Sequence, residues 1–335
     1  MIKDTTMEIF EEALQSVAED MEKNGKTEAD ILCHFESKDI SKVLIDSLEK
    51  MSCDIKESME RTMFEEVLNF RAGDAEFLAR QEQKWGKCFV ASEAMYLLIL
   101  EVAEAYNDFV SEKDEEDFKP SLNMYVALKH IHGRALQQYL EIVTLMKNGF
   151  ADGAYSRWRS MYELAVIASF IKENGEEVAK SYIEASTTTD RYDWAKSSGL
   201  FENKKTKHVT FNDIQKKCDL NSAIWKKQYD LANKIVHASP QGTFARLGNM
   251  NHPDQISVGR SDYGITTPAE HSALTLAIIS SLFLTVYPYG DGLLAIATIN
   301  RWIDVIRECY FRTHDDVFPD STKRLWNTNV GRPGN

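Results

Sequence analysis

The sequence predicts an all-α protein: a helical bundle with a long central helical hairpin and an acidic N-terminal helical extension. Three observations carry this. Apolar residues recur at helical spacing along most of the chain. None of the seven prolines lies before Pro120 or between Pro120 and Pro240, so no proline interrupts a helix over the first two thirds. The apolar runs close on Asn-Gly and Ser-Pro signals, as helices do. With 335 residues, 43% apolar and 27% charged, the chain can bury a core, and its composition excludes disorder and collagen-like repetition.

In chain order, Met7, Phe10, Leu14 and Val17 mark a first helix that Asn24-Gly25 stops, and Val43, Leu44, Leu48 and Met51 mark a second. A longer helix is expected from about Glu76 to Val110. The run SEKDEEDFKP at 111–120 joins a charge block to a proline and is the best candidate boundary. Leu122, Tyr125, Leu128, Leu136, Leu140 and Val143 then form a periodic stretch closed by Lys147-Asn148-Gly149. Asp152 is placed to cap the next helix, which stops before Asn174-Gly175, so 121–173 reads as a helical hairpin. Residues 197–209 have the composition of a loop, Thr210 with Asp213 suggests a capping box, and 222–238 is a helix ended by Ser239-Pro240. Residues 239–268 form a long irregular connection, a kind of segment often tied to function. Residues 272–290 carry no charge and by length could span a bilayer, but their Ser and Thr content, and flanks without basic residues, favour a buried central helix. A last helix covers 293–311. The domain reading is 1–118 as an acidic helical region, 119–312 as a helical core domain and 313–335 as a tail.

Residues 1–118 hold 13 Lys+Arg against 30 Asp+Glu, and 119–335 hold 26 against 22. The segment Arg191 to Lys234 holds ten basic residues against five acidic ones, a balance that suits either a solvated helix face or phosphate contacts. The first twenty residues lack an apolar leader core, so a cytoplasmic location is expected. Cys33, Cys53, Cys88, Cys218 and Cys309 form no C-x-x-C pair and read as reduced thiols.

Between Trp158 and Ile171 apolar residues occupy every side of the helix, which therefore reads as buried. Its first turns nevertheless carry Arg157, Arg159 and Glu163, and buried charges need a partner or a ligand. Arg159 and Glu163 share a face with Tyr155 and Tyr162, whereas Arg157 points away, so the two arginines should serve different partners. The hairpin partner offers His130, Arg134, Gln138 and Glu141 roughly on one side. On the helix 222–238, Trp225, Tyr229, Asn233 and His237 recur every four residues, and the helix C-terminus favours a protonated His237. The candidate catalytic residues are thus His237, Arg159 and Glu163, and the candidate ligand-binding residues Arg157, Tyr229, Asn233, His130 and Arg134. No P-loop, dinucleotide fingerprint, nucleophile elbow or H-E-x-x-H is present. Neither a metal nor a cofactor is expected. Cys309 and His314 with Asp315 and Asp316 lack the rest of a metal site and read as a solvated helix end.

The stretches RALQQYLEIVTLMKNGFADGAYSRWRSMYELAVIASFI, YDWA and ANKIVHAS resemble the bacterial family catalogued as domain of unknown function 5677, over roughly residues 60–310. The run from Asn148-Gly149 through Arg157-x-Arg159 to Glu163 is its most specific element, followed by Tyr192-Asp193-Trp194-Ala195 and His237. The resemblance implies a helical protein of the kind met among bacterial antiviral defence and mobile-element genes, with no established activity. HEPN ribonucleases, also helical, pair an Arg and a His four to six residues apart on one helix. Here that spacing occurs in Arg246 to His252, within the Gly- and Pro-rich connection, so the analogy is architectural alone. Two readings stay open. In one, the Arg157, Arg159, Glu163, Asn233 and His237 cluster binds a phosphate-bearing ligand, RNA or a nucleotide. If catalytic, it cleaves phosphodiesters without metal, with His237 as acid or base. In the other, the cluster is structural and the protein is a non-enzymatic interaction module, with a protein partner on its acidic half or a second copy as a homodimer.

Overall fold

The computed structural model describes residues 2–319 except 37, 190, 203–207, 221, 237–239, 245, 253 and 257. Its elements are α1 (Ile2–Lys23), α2 (Glu28–Phe35), α3 (Lys38–Ser111), α4 (Glu115–Phe118), α5 (Leu122–Lys147), α6 (Ala151–Asn174), α7 (Glu176–Glu184), α8 (Phe211–Gln215), α9 (Ala223–Val236), α10 (Pro240–Phe244), α11 (Thr266–Leu284) and α12 (Gly290–Val317), with short 3₁₀ turns between several of them. Among the described residues there is no strand, as the periodicity predicts.

The chain divides into two compact units, residues 1–76 and 77–335. In the first, α1 ends at Lys23 and Gly25 takes the left-handed turn, and Thr27 opens α2 with a capping box to Asp30. Among the residues whose burial is described in this unit, Ile31 alone is buried.

The second unit carries the core. The expected hairpin is α5 and α6, joined through Asn148 and Gly149, and both pack on α11, which α12 covers. The expected cap is different: α6 starts after Phe150, and the Asp152 carboxylate instead accepts the Leu247 amide at 2.8 Å, holding the long connection onto α6. Nothing in the local sequence distinguishes these two uses of one carboxylate.

The uncharged stretch is largely α11, a buried helix whose polar groups are satisfied within the bundle. The hydroxyls of Thr275, Ser280 and Ser281 donate to carbonyls four residues back. Thr275 also accepts the Trp158 indole N–H at 2.9 Å, and Ser280 meets His132 at 3.0 Å. Among the described residues no helix is long and apolar enough to cross a membrane.

The 111–120 run lies within the second unit. The Phe118 ring packs on Tyr125 and Tyr287, and its carbonyl accepts the Tyr287 hydroxyl. His314, expected at a solvated helix end, is 6% exposed, because α12 continues to Val317 and the Tyr263 and Phe318 rings pack against the imidazole.

Candidate functional site

The polar residues at the start of α6 do not form one cluster. The Arg157 guanidinium is ion-paired with Glu141 of α5. Arg159 lies on the other side, with Nη2 3.0 Å from Glu163 Oε1 one turn on. The divergence follows from the helical step: residues two apart on a helix point about 200° apart.

Glu163 is the hub of the second group. The Tyr229 hydroxyl of α9 donates to its Oε1 at 2.8 Å, and Arg191 reaches Oε2 at 3.8 Å. Arg159 also lies over the Tyr229 ring, 5.5 Å from its centroid. Burial, and next the adjacent carboxylate that it bonds, push the Tyr229 phenol well above its ordinary range, so it acts here as a donor. Two buried polar atoms in this region, Arg159 Nε and Asn233 Oδ1, have no hydrogen-bond partner.

A ladder of rings supports the group. Tyr155 stacks on Trp158 at 4.8 Å, and Tyr162 stacks on Trp225 at 5.5 Å and meets Tyr229 at 5.3 Å. Tyr155 donates to Gln228 of α9, and Gln215 of α8 donates to the Tyr162 hydroxyl, so α6 holds α8 and α9 by their side-chain polar ends as well as by area. His271 of α11 lies against Trp158 at 4.9 Å, and burial lowers its pKa to about 4, which keeps it neutral.

Asp193 organises the segment that carries Arg191. It accepts the Val209 amide at 2.8 Å and His208 Nδ1 at 2.9 Å, and Lys196 lies 3.1 Å away. These contacts, the amide bond first, hold its carboxyl well below the usual range. Trp194 beside it packs edge-on against Phe170 and Tyr182.

Arg191 also lines a cavity of about 470 Å³ whose wall includes His130, Tyr182, Ser186, Thr188 and Trp194. Of the expected site residues, the structure therefore joins Arg159, Glu163 and Tyr229 directly, and Arg191, which reaches Glu163, lines one cavity with His130. It separates Arg157, held by Glu141, and Arg134, an exposed residue that donates to Gln137. His237 lies outside the described residues. Sequence periodicity missed Arg191 as a site residue because it sits between helices, where no face can be assigned; its place in the basic segment was the available signal. Among the described residues no group of His, Cys, Asp and Glu is arranged to hold a metal ion.

Fold and site together define an all-helical bundle domain with an ionic cluster set between aromatic rings. Residues 125–210 match a family of unknown function (DUF5677), a stretch that contains the hairpin apart from the first three residues of α5, together with Arg159, Glu163, Arg191 and every residue lining the His130 cavity. No curated protein and no solved structure matches the chain.

Proposed function

We propose that the protein binds a phosphate-bearing ligand, a nucleotide or an RNA end, in the cavity between α5 and the 182–194 segment, as a binding domain of the kind found in bacterial defence effectors and regulators. One observation carries the reading: Arg191 borders that cavity together with His130 and is tied through the Glu163 carboxylate to Arg159. Two guanidiniums thus share one carboxylate, which leaves positive charge in surplus, and an anion is the natural counterpart. Trp194 and Tyr182 in the wall give a base or sugar an apolar surface.

The test is titration of the full chain with inorganic phosphate, ATP and a short single-stranded RNA, followed by tryptophan fluorescence at two salt concentrations. Saturable binding that weakens with salt, and that Arg191→Ala and His130→Ala each reduce by about ten-fold, supports the reading. A flat titration, or variants that bind as the parent does, overturns it. RNA shortened by the parent and left intact by His237→Ala would extend binding to metal-independent cleavage.

The second reading, a structural cluster in an interaction module, is favoured by the Arg157–Glu141 pair and the Tyr229–Glu163 bond, which fasten α6 to α5 and α9. Under it, Arg159→Ala lowers the melting temperature by several degrees and changes no ligand affinity.

A further inference from the structure

Among the residues of the first unit whose burial is described only Ile31 is buried, yet the unit's part of α3 presents a largely apolar stripe. Leu48, Met59 and Phe70 recur every eleven residues, with Ile55 and Met63 between them and Ile45 before them. At the helical step these six side chains fall within about 40° of Met59 around the axis. They are 42% to 69% exposed. A helix draws most of its stability from burying such a face, and large exposed apolar patches mark association surfaces. We infer that residues 45–70 of α3 pair antiparallel with the same residues of a second copy of this chain.

The spacing of the stripe selects that occupant. Placed antiparallel with the two-fold axis at Met59, Ile55 falls opposite Met63 and Leu48 opposite Phe70, so from 48 to 70 the stripe reads alike from either end, while Ile45 falls opposite Gly73. Its two polar members, Ser52 and Glu66, also fall opposite one another, where the Ser52 hydroxyl, which here donates to the Glu49 carbonyl at 2.8 Å, can turn to donate to the carboxylate. The eleven-residue period suits a nearly straight pair with slight right-handed coiling.

Charge selects the direction. One flank of the stripe carries Glu49, Lys56, Glu60 and Arg71, with Lys56 and Glu60 3.4 Å apart within the chain. In the antiparallel register Glu49 lies within half a turn of Arg71 of the second copy, and Lys56 of Glu60, each contact occurring twice. In a parallel pair the same flank would meet Met51, Ser58, Thr62, Glu65 and Asn69, which hold no cation. The exposed apolar area of the stripe with Val67 is on the order of 700 Å² per copy, the scale of a specific interface.

Sedimentation velocity of the full chain, from about 1 to about 100 µM, reads the outcome. The expected mass is twice the 38.3 kDa of the chain. Met59→Glu, which brings two carboxylates together on the axis, is expected to give monomer, while Arg61→Glu on the opposite face leaves the dimer intact. Glu49→Lys and Arg71→Glu are each expected to weaken pairing by about ten-fold, and the double exchange to recover the parent affinity. A monomeric parent, a Met59→Glu dimer of parental affinity, or a double exchange no tighter than the single ones overturns the proposal. The exchange tests pairing even where Met59→Glu disturbs the helix.

Discussion

The Tyr229 hydroxyl and the Glu163 carboxylate are 2.8 Å apart, and the oxygen that accepts this phenol also receives Arg159 at 3.0 Å. One carboxylate therefore joins α9 to α6 and fixes the guanidinium in place. Removing the phenol and removing the carboxylate should have unequal effects. Tyr229→Phe deletes one hydrogen bond to a charged group and is expected to cost about 2 kcal/mol. Glu163→Ala leaves Arg159 half-buried without its counter-charge and should cost more, about 3 kcal/mol. Urea unfolding of both variants and of the double variant checks this; strict additivity would contradict a shared interaction.

Two histidines set a pH dependence. His132 and His271 are held near a pKa of about 4 by burial, below the ordinary 6.5. The unfolded chain then binds more protons than the folded one between those values, so stability rises with pH across this window. The contribution is complete above about 6.5 and is lost as pH falls toward about 4. Melting temperature measured from pH 7 to pH 4 should fall, and His132→Gln should flatten the curve; an unchanged slope in that variant would refute the assignment.

Asp193 acts with the same sign at lower pH. Its carboxyl is depressed by the Val209 amide first, then by His208 and Lys196. The stability it supplies is present above the ordinary value of 3.8 and disappears as pH falls through the depressed one. Asp193→Asn should therefore be less stable than the parent at neutral pH, with the difference narrowing as pH falls below 3.8. Faster hydrogen exchange at the Val209 amide is the local readout.

Gly149 closes the hairpin with φ +74°, and a Cβ there would sit 2.7 Å from the Phe77 ring and 2.8 Å from the Ser261 carbonyl. The backbone conformation and the clash act together. Gly149→Ala is expected to cost about 2 to 4 kcal/mol, read by chemical denaturation, whereas Gly133→Ala, with open space around it, should be neutral or stabilising.

The sequence by itself determined the helical class, the 121–173 hairpin with its Asn-Gly closure, the capping box at Thr210, and the divergence of Arg157 from Arg159. These are local properties, set by periodicity and by backbone chemistry within a few residues. Only the tertiary structure decided that Glu141 takes Arg157, that Tyr229 rather than a solvent molecule meets Glu163, that Asp152 holds Leu247 instead of capping α6, and that Arg191 and His130 border one cavity. Each of those joins residues from different elements, and their meeting depends on how helices rotate and cross in the packed core, a choice made by the summed burial of many side chains and written in no single segment of the chain.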